Sequence, residues 1–80
     1  MPTDTLPQLA VGQKVIITEQ KIGSKRTTRY GLEITDVYTF STNVQLVSGQ
    51  QFRVTDPNVF FPNRRLVRMH KSSIKNVEVL

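Results

Sequence analysis

Between Tyr30 and Phe40 the chain alternates with a period of two, a rhythm that a helix cannot bury on one side. Tyr30, Leu32, Ile34, Tyr38 and Phe40 share one parity, while Arg29, Glu33, Thr35 and Thr39 take the other. Successive side chains of a strand point to opposite faces, so the segment reads as a strand with one buried and one wet side. Asp36 on the apolar parity and Val37 on the polar one break the rhythm. A bulge or sharp bend near Thr35–Val37 returns each to its proper face.

The rest of the chain offers the same kind of element in shorter pieces. β-Branched Val15, Ile16 and Ile17 mark a strand that begins near Val11 and ends at Thr18. Residues 19–28 carry Gly23 and charge without apolar periodicity, which reads as a loop. Ser41-Thr42-Asn43 is a turn cluster. Val44 and Leu46, then Phe52 and Val54, flank Ser48-Gly49-Gln50-Gln51, the pattern of a hairpin whose positive φ falls to Gly49. Asp56-Pro57-Asn58 and Pro62-Asn63 read as breaks around a loop, Val59-Phe60-Phe61. Arg65 to Lys71 is a further strand, with Val67 and Met69 inward and Arg64, Leu66, Arg68 and His70 outward. Lys71 to Ile74 fits one 3-10 turn, and Asn76 to Leu80 a closing strand.

No segment supports a helix longer than one turn. Eighty residues, 38 % of them hydrophobic, suffice for one core. The expected fold is therefore all-β: a single small barrel of five or six short antiparallel strands over residues 11–80, behind a flexible tail at residues 1–10. Closure is the usual answer to exposed sheet edges in so small a domain.

The order of elements resembles the SH3-like small barrels, the group of SH3, Tudor and KOW domains. Val11-Gly12-Gln13-Lys14-Val15-Ile16-Ile17 looks like the opening of a KOW-type barrel, and Arg68 to Val79 like the strand, 3-10 turn and short strand that end such folds. The resemblance implies that residues 19–29 form the first long loop and that Asp56–Asn63 is an insertion. SH3 domains that bind proline-rich peptides line a groove with aromatics. This chain has no tryptophan, and its first loop is basic where that class is typically acidic.

Charge is distributed unevenly. Lys21, Lys25, Arg26 and Arg29 lie in a stretch without acids, and so do Arg64, Arg65, Arg68, Lys71 and Lys75. These nine of the eleven basic side chains sit on a body in which Lys14 and Arg53 face all six acids, while the whole chain carries +5. If folding joins the two segments, their fields add over a Debye length of about 10 Å. A surface that only confers solubility usually mixes signs.

Catalysis finds little support. His70 is the sole histidine and cysteine is absent, so no His/Cys metal set exists, and no cofactor is expected. The acids are scattered, and Gly23-Ser24-Lys25-Arg26 lacks the frame of a phosphate-binding P-loop. No apolar run reaches the length of a membrane span, and the first residues lack the basic start and apolar stretch of a signal peptide. A cytoplasmic protein without a membrane partner is the expectation.

Two functions stay open. The first is binding to DNA or RNA with low sequence specificity, through Lys21, Lys25, Arg26, Arg29, Arg53, Arg64, Arg65, Arg68, His70 and Lys71. The second is a protein-interaction module, an adaptor or inhibitor, that docks on an acidic protein surface with Phe60 and Phe61 as anchors. Alternatively, Val59-Phe60-Phe61 folds back to plug one end of the barrel, and the charged segments are solvated loops or a protected edge strand.

Overall fold

In a computed structural model, which describes residues 8–21, 23–41 and 43–80, the chain forms five antiparallel strands in one open sheet. They are β1 (Lys14–Gln20), β2 (Thr27–Thr39), β3 (Val44–Arg53), β4 (Asp56–His70) and β5 (Ile74–Val79), and there is no helix among the described residues. The sheet order is β4-β3-β2-β1-β5, so the first strand lies between the second and the last.

Strands β4 and β5 occupy opposite edges, yet only residues 71–73 separate them. A flat five-stranded sheet is about 19 Å wide, whereas four Cα steps reach about 14 Å. The sheet must therefore curl. Strand β2 makes the bend, because its first half pairs with β1 and its second half with β3. The connecting turn touches both flanks: Lys71 N–H donates to Asn43 C=O, and Ser73 C=O accepts from Gln20 N–H. Residues 71–73 form a hydrogen-bonded turn, closed by Ser73 N–H donating to His70 C=O.

The concave face holds the core: Val15, Ile17, Tyr30, Leu32, Ile34, Val47, Val67 and Met69, with Leu9 packed against them. Leu9 belongs to the segment expected to be a tail, of which residues 1–7 lie outside the described residues. So does Thr42 of the expected turn.

The anticipated bulge is present, between Ile34 and Asp36. Beyond it Val37 pairs with Val47 and turns inward, while Asp36, Tyr38 and Phe40 turn outward.

Three expectations are corrected. First, Ser48-Gly49-Gln50-Gln51 is not a hairpin turn; β3 runs straight through it and the turn falls at Val54-Thr55. Gly49 is needed for close approach, since a Cβ there would overlap the Glu33 carbonyl of β2. Second, neither proline breaks the chain. β4 runs through Pro57 and Pro62, which an edge strand tolerates because its outer N–H groups have no ladder partner. Third, Val59-Phe60-Phe61 is part of that strand and not a loop. An irregularity opposite Gln51 absorbs the extra residues of β4, and the Gln50 amide donates to the carbonyls of Phe61 and Asn63.

Candidate functional site

The bulge at Thr35 decides which side chains reach solvent. Beyond it, three cross-strand rows cover the convex face of β2, β3 and β4. They are Asp36, Ser48 and Leu66; Tyr38, Leu46 and Arg68; and Phe40, Val44 and His70. Tyr38 and Phe40 are 61 % and 60 % exposed, and Leu66 is 67 % exposed. The two rings meet edge to face, with centres 4.8 Å apart and planes at 66°. That geometry suits the aromatic quadrupoles and fixes both rings while leaving them accessible.

Cations border the aromatics. Arg68 lies in the Tyr38 row, two strands or about 10 Å away. Arg64 is held over the bulge, where Nη2 donates to Thr35 Oγ1 at 2.6 Å. His70 and Lys71 are exposed at the far end. Asp36 is the one acid in the three rows. The face is thus aromatic along β2 and cationic along β4, with aliphatic Leu46 between them.

The remaining expected residues fall elsewhere. Lys21, Lys25, Arg26 and Arg29 are exposed at the β1–β2 hairpin, and Gln20 Nε2 donates to Ser24 C=O within its loop. The end of β1 lies beside the β4–β5 turn, where Gln20 N–H donates to Ser73 C=O and Glu19 pairs with Ile74, so the start of the first basic segment adjoins residues 71–75 of the second, whereas Arg64 and Arg68 belong to the convex rows. Arg53 is exposed beside the β3–β4 turn, opposite Asp56. Arg65 shares the inward parity of Val67 and Met69 and caps the core. Its guanidinium stacks 4.1 Å from the Tyr30 ring centre and lies 3.9 Å from Glu19. Contact between β4 and β1 across the concave side also reflects the curl.

Phe60 and Phe61 lie on β4, 39 % and 37 % exposed. The Phe60 ring packs edge-on against Phe52, 6.2 Å away, and the Lys14 ammonium sits 5.1 Å from its centre. Lys14 also donates to Pro57 C=O at 3.0 Å. Phe52 itself packs against Gly31 and is 1 % exposed. Phe60 therefore belongs to a small second layer at the other end of the same convex side, beyond the bulge from Tyr38 and Phe40.

The buried Tyr30 hydroxyl has no hydrogen-bond partner. Burial pushes its pKa up from 10.0 to about 12; the Glu19 carboxylate adds to the rise and Arg65 opposes it. Among the described residues, no three His, Asp or Glu side chains are grouped to hold a metal ion, and no helix is long and apolar enough to cross a membrane.

Sequence reasoning missed Tyr38 and Phe40, which it assigned to the core. The signal that finds them is the inversion at Asp36-Val37. Once a bulge is placed before Asp36, every later residue on the strand changes face. Comparison with protein-family models, with curated proteins and with solved structures gives no match to this chain.

Proposed function

We propose that the convex face of β2, β3 and β4 binds single-stranded DNA or RNA with low sequence specificity and without turnover. The observation that carries this reading is the exposed Tyr38–Phe40 pair on a strand face bordered by Arg64, Arg68, His70 and Lys71. Every base has a π-face, so aromatic platforms of this kind accept any sequence. Arginines beside them neutralise the backbone. A duplex buries its base faces in the stack, which favours unpaired strands here. Further support for the expected SH3-like barrel comes from the bent second strand and from the three-residue turn that links opposite sheet edges.

The test is fluorescence anisotropy with single-stranded and duplex oligonucleotides across a salt series. Tyr38→Ala and Phe40→Ala should each weaken single-strand binding by roughly 5- to 100-fold, because stacking contributes about 1–3 kcal/mol per base. Both variants should keep the wild-type melting temperature within a few degrees. Arg68→Ala should flatten the salt dependence by about 0.7 log units per decade. No binding at low salt, or binding indifferent to both aromatic replacements, would refute the reading.

One observation favours a second reading. Leu66, more exposed than either ring, lies between Arg64 and Arg68 and gives the face an apolar centre suited to an acidic protein surface. Leu66→Ser separates the two. It should abolish a protein contact and leave oligonucleotide affinity unchanged.

A further inference from the structure

The two exposed rings of the convex face cannot hold one base between them. Their centres are 4.8 Å apart and their planes meet at 66°. A base held between two rings needs them parallel and about 7 Å apart, two carbon contact distances of roughly 3.5 Å. Each ring therefore takes a base of its own on its open face, and the two bases inherit the inclination of the rings. We infer that Tyr38 and Phe40 act as a wedge that breaks the stack of the bound strand, so that the protein selects strands whose bases stack weakly, runs of thymine or uracil, over stacked runs of adenine. The inference rests on the single-strand reading above and names what that surface discriminates.

The spacing of the ladder makes the same demand. Tyr38 shares a row with Leu46 and Arg68, and Phe40 shares one with Val44 and His70. One row thus offers an aromatic platform on β2 and a polar or cationic side chain on β4, the parts that one nucleotide needs. Neighbouring rows on one face are two residues apart, about 7 Å along the strand. Stacked bases advance only about 3.4 Å per nucleotide. A strand that sets successive nucleotides on successive rows must stretch to roughly twice its stacked repeat. Stretching and tilting both part the neighbouring bases. The rings resist being turned parallel, because that would give up the edge-to-face contact their quadrupoles favour.

The cost of the break falls on the free strand. Purine rings overlap extensively along a single strand, whereas thymine and uracil overlap little. On the wedge an adenine exchanges one base neighbour for an aromatic ring. A thymine gains the ring and gives up almost nothing. The difference between the two strands is then the stacking of the one step that spans Tyr38 and Phe40. Selection of this kind needs no hydrogen bond to a base edge, since it works through stacking strength and backbone flexibility. It needs both rings, because one ring alone imposes no angle between neighbouring bases.

The experiment compares short oligothymidylate, oligodeoxyuridylate and oligoadenylate of equal length by anisotropy at one salt concentration. The two pyrimidine strands should bind alike and roughly tenfold tighter than the adenine strand, the equivalent of one stacking step. Warming should shrink that ratio, because free oligoadenylate then loses its stack unaided. Tyr38→Ala and Phe40→Ala each leave a single ring, so both should weaken binding and bring the ratio towards one. Phe40→Tyr keeps the wedge and should keep the ratio. Equal affinity for the three strands, tighter adenine binding, or a pyrimidine preference that survives loss of either ring overturns the inference and leaves single-strand binding standing. Tight binding of thymidylate that uridylate does not share traces the preference to the base methyl group and overturns it as well. Failure of every strand to bind at low salt overturns the inference together with the reading it rests on.

Discussion

Replacing Gly31 by alanine should destabilise the domain far more than adding one methyl group to a strand usually does. Gly31 lies on β2, on the face opposite the core, and its register partner is Phe52. A Cβ at this position would overlap the near edge of the Phe52 ring and sit 2.6 Å from Cζ. Carbon pairs need about 3.5–4.0 Å, so the ring must retreat by an ångström or more. It has little freedom to do so, since Phe60 packs against it and the Lys14 ammonium lies 5.9 Å from its centre. Overpacking of a closed site costs about 1–3 kcal/mol, and a ring expelled outright forfeits about 3–5 kcal/mol. Alanine recovers about 0.4–1 kcal/mol of backbone entropy. The net expectation is a loss of about 2–3 kcal/mol, from a total that for 80 residues is roughly 4–12 kcal/mol. The melting temperature should fall by roughly 10–20 °C. Urea and thermal unfolding followed by circular dichroism measure both quantities. The steric origin is tested by adding Phe52→Ala. If the ring is the obstacle, the double variant is less destabilised than the sum of the singles by at least ~1 kcal/mol. A Gly31→Ala protein within ~0.5 kcal/mol of wild type, or strict additivity with Phe52→Ala, would refute the reasoning.

Two other perturbations follow from the same packing. The Tyr30 phenol keeps its proton to about pH 12 when folded, whereas an unfolded tyrosine loses it near 10.0. Between those values the unfolded state binds fewer protons, so stability is complete below pH 10 and falls, by about 2–3 kcal/mol in all, as pH rises to 12. Tyr30→Phe should remove that decline in alkaline unfolding curves and cost nothing at neutral pH, because the buried hydroxyl has no partner to lose. Gln50→Ala should cost about 0.5–1.5 kcal/mol by freeing the Phe61 and Asn63 carbonyls, and hydrogen exchange should show lost protection confined to residues 59–64.

The sequence was legible where one physical cause produces one pattern. Alternation from Tyr30 to Ile34 means a strand with a buried side, and that side is buried. The inversion at Asp36-Val37 means a bulge, and the bulge is there. Legibility failed where one residue type answers to two causes. Gly49 suggested a turn because glycine permits positive φ, yet glycine also permits close approach, and the Glu33 carbonyl demands the latter. Pro57 and Pro62 suggested chain breaks because proline lacks a donor, yet an edge strand has donors to spare. Edge position is a property of the sheet order, which no local window contains. The candidate site shows the same division. Arg64, Arg68 and His70 were readable from parity on β4, whereas Tyr38 and Phe40 required carrying the bulge through to the residues beyond it. Arg65 was legible as charge only; its seat over Tyr30 depends on the curl that brings β4 across to β1.

The place of β1 between β2 and β5 also sets an order in time. Val15 pairs with Leu32 on one side and with Val79 on the other. The first ladder closes through a local hairpin, while the second waits for nearly the whole chain. Such non-local pairing slows folding, because loop closure is paid before the contact rewards it. Until Ile74–Val79 arrives, β1 presents an open row of donors and acceptors beside Val15 and Ile17, a template for the equivalent strand of another molecule. Exchange of the last strand between two copies is therefore the characteristic way for this chain to misassemble, and a shortened turn at residues 71–73 would promote it.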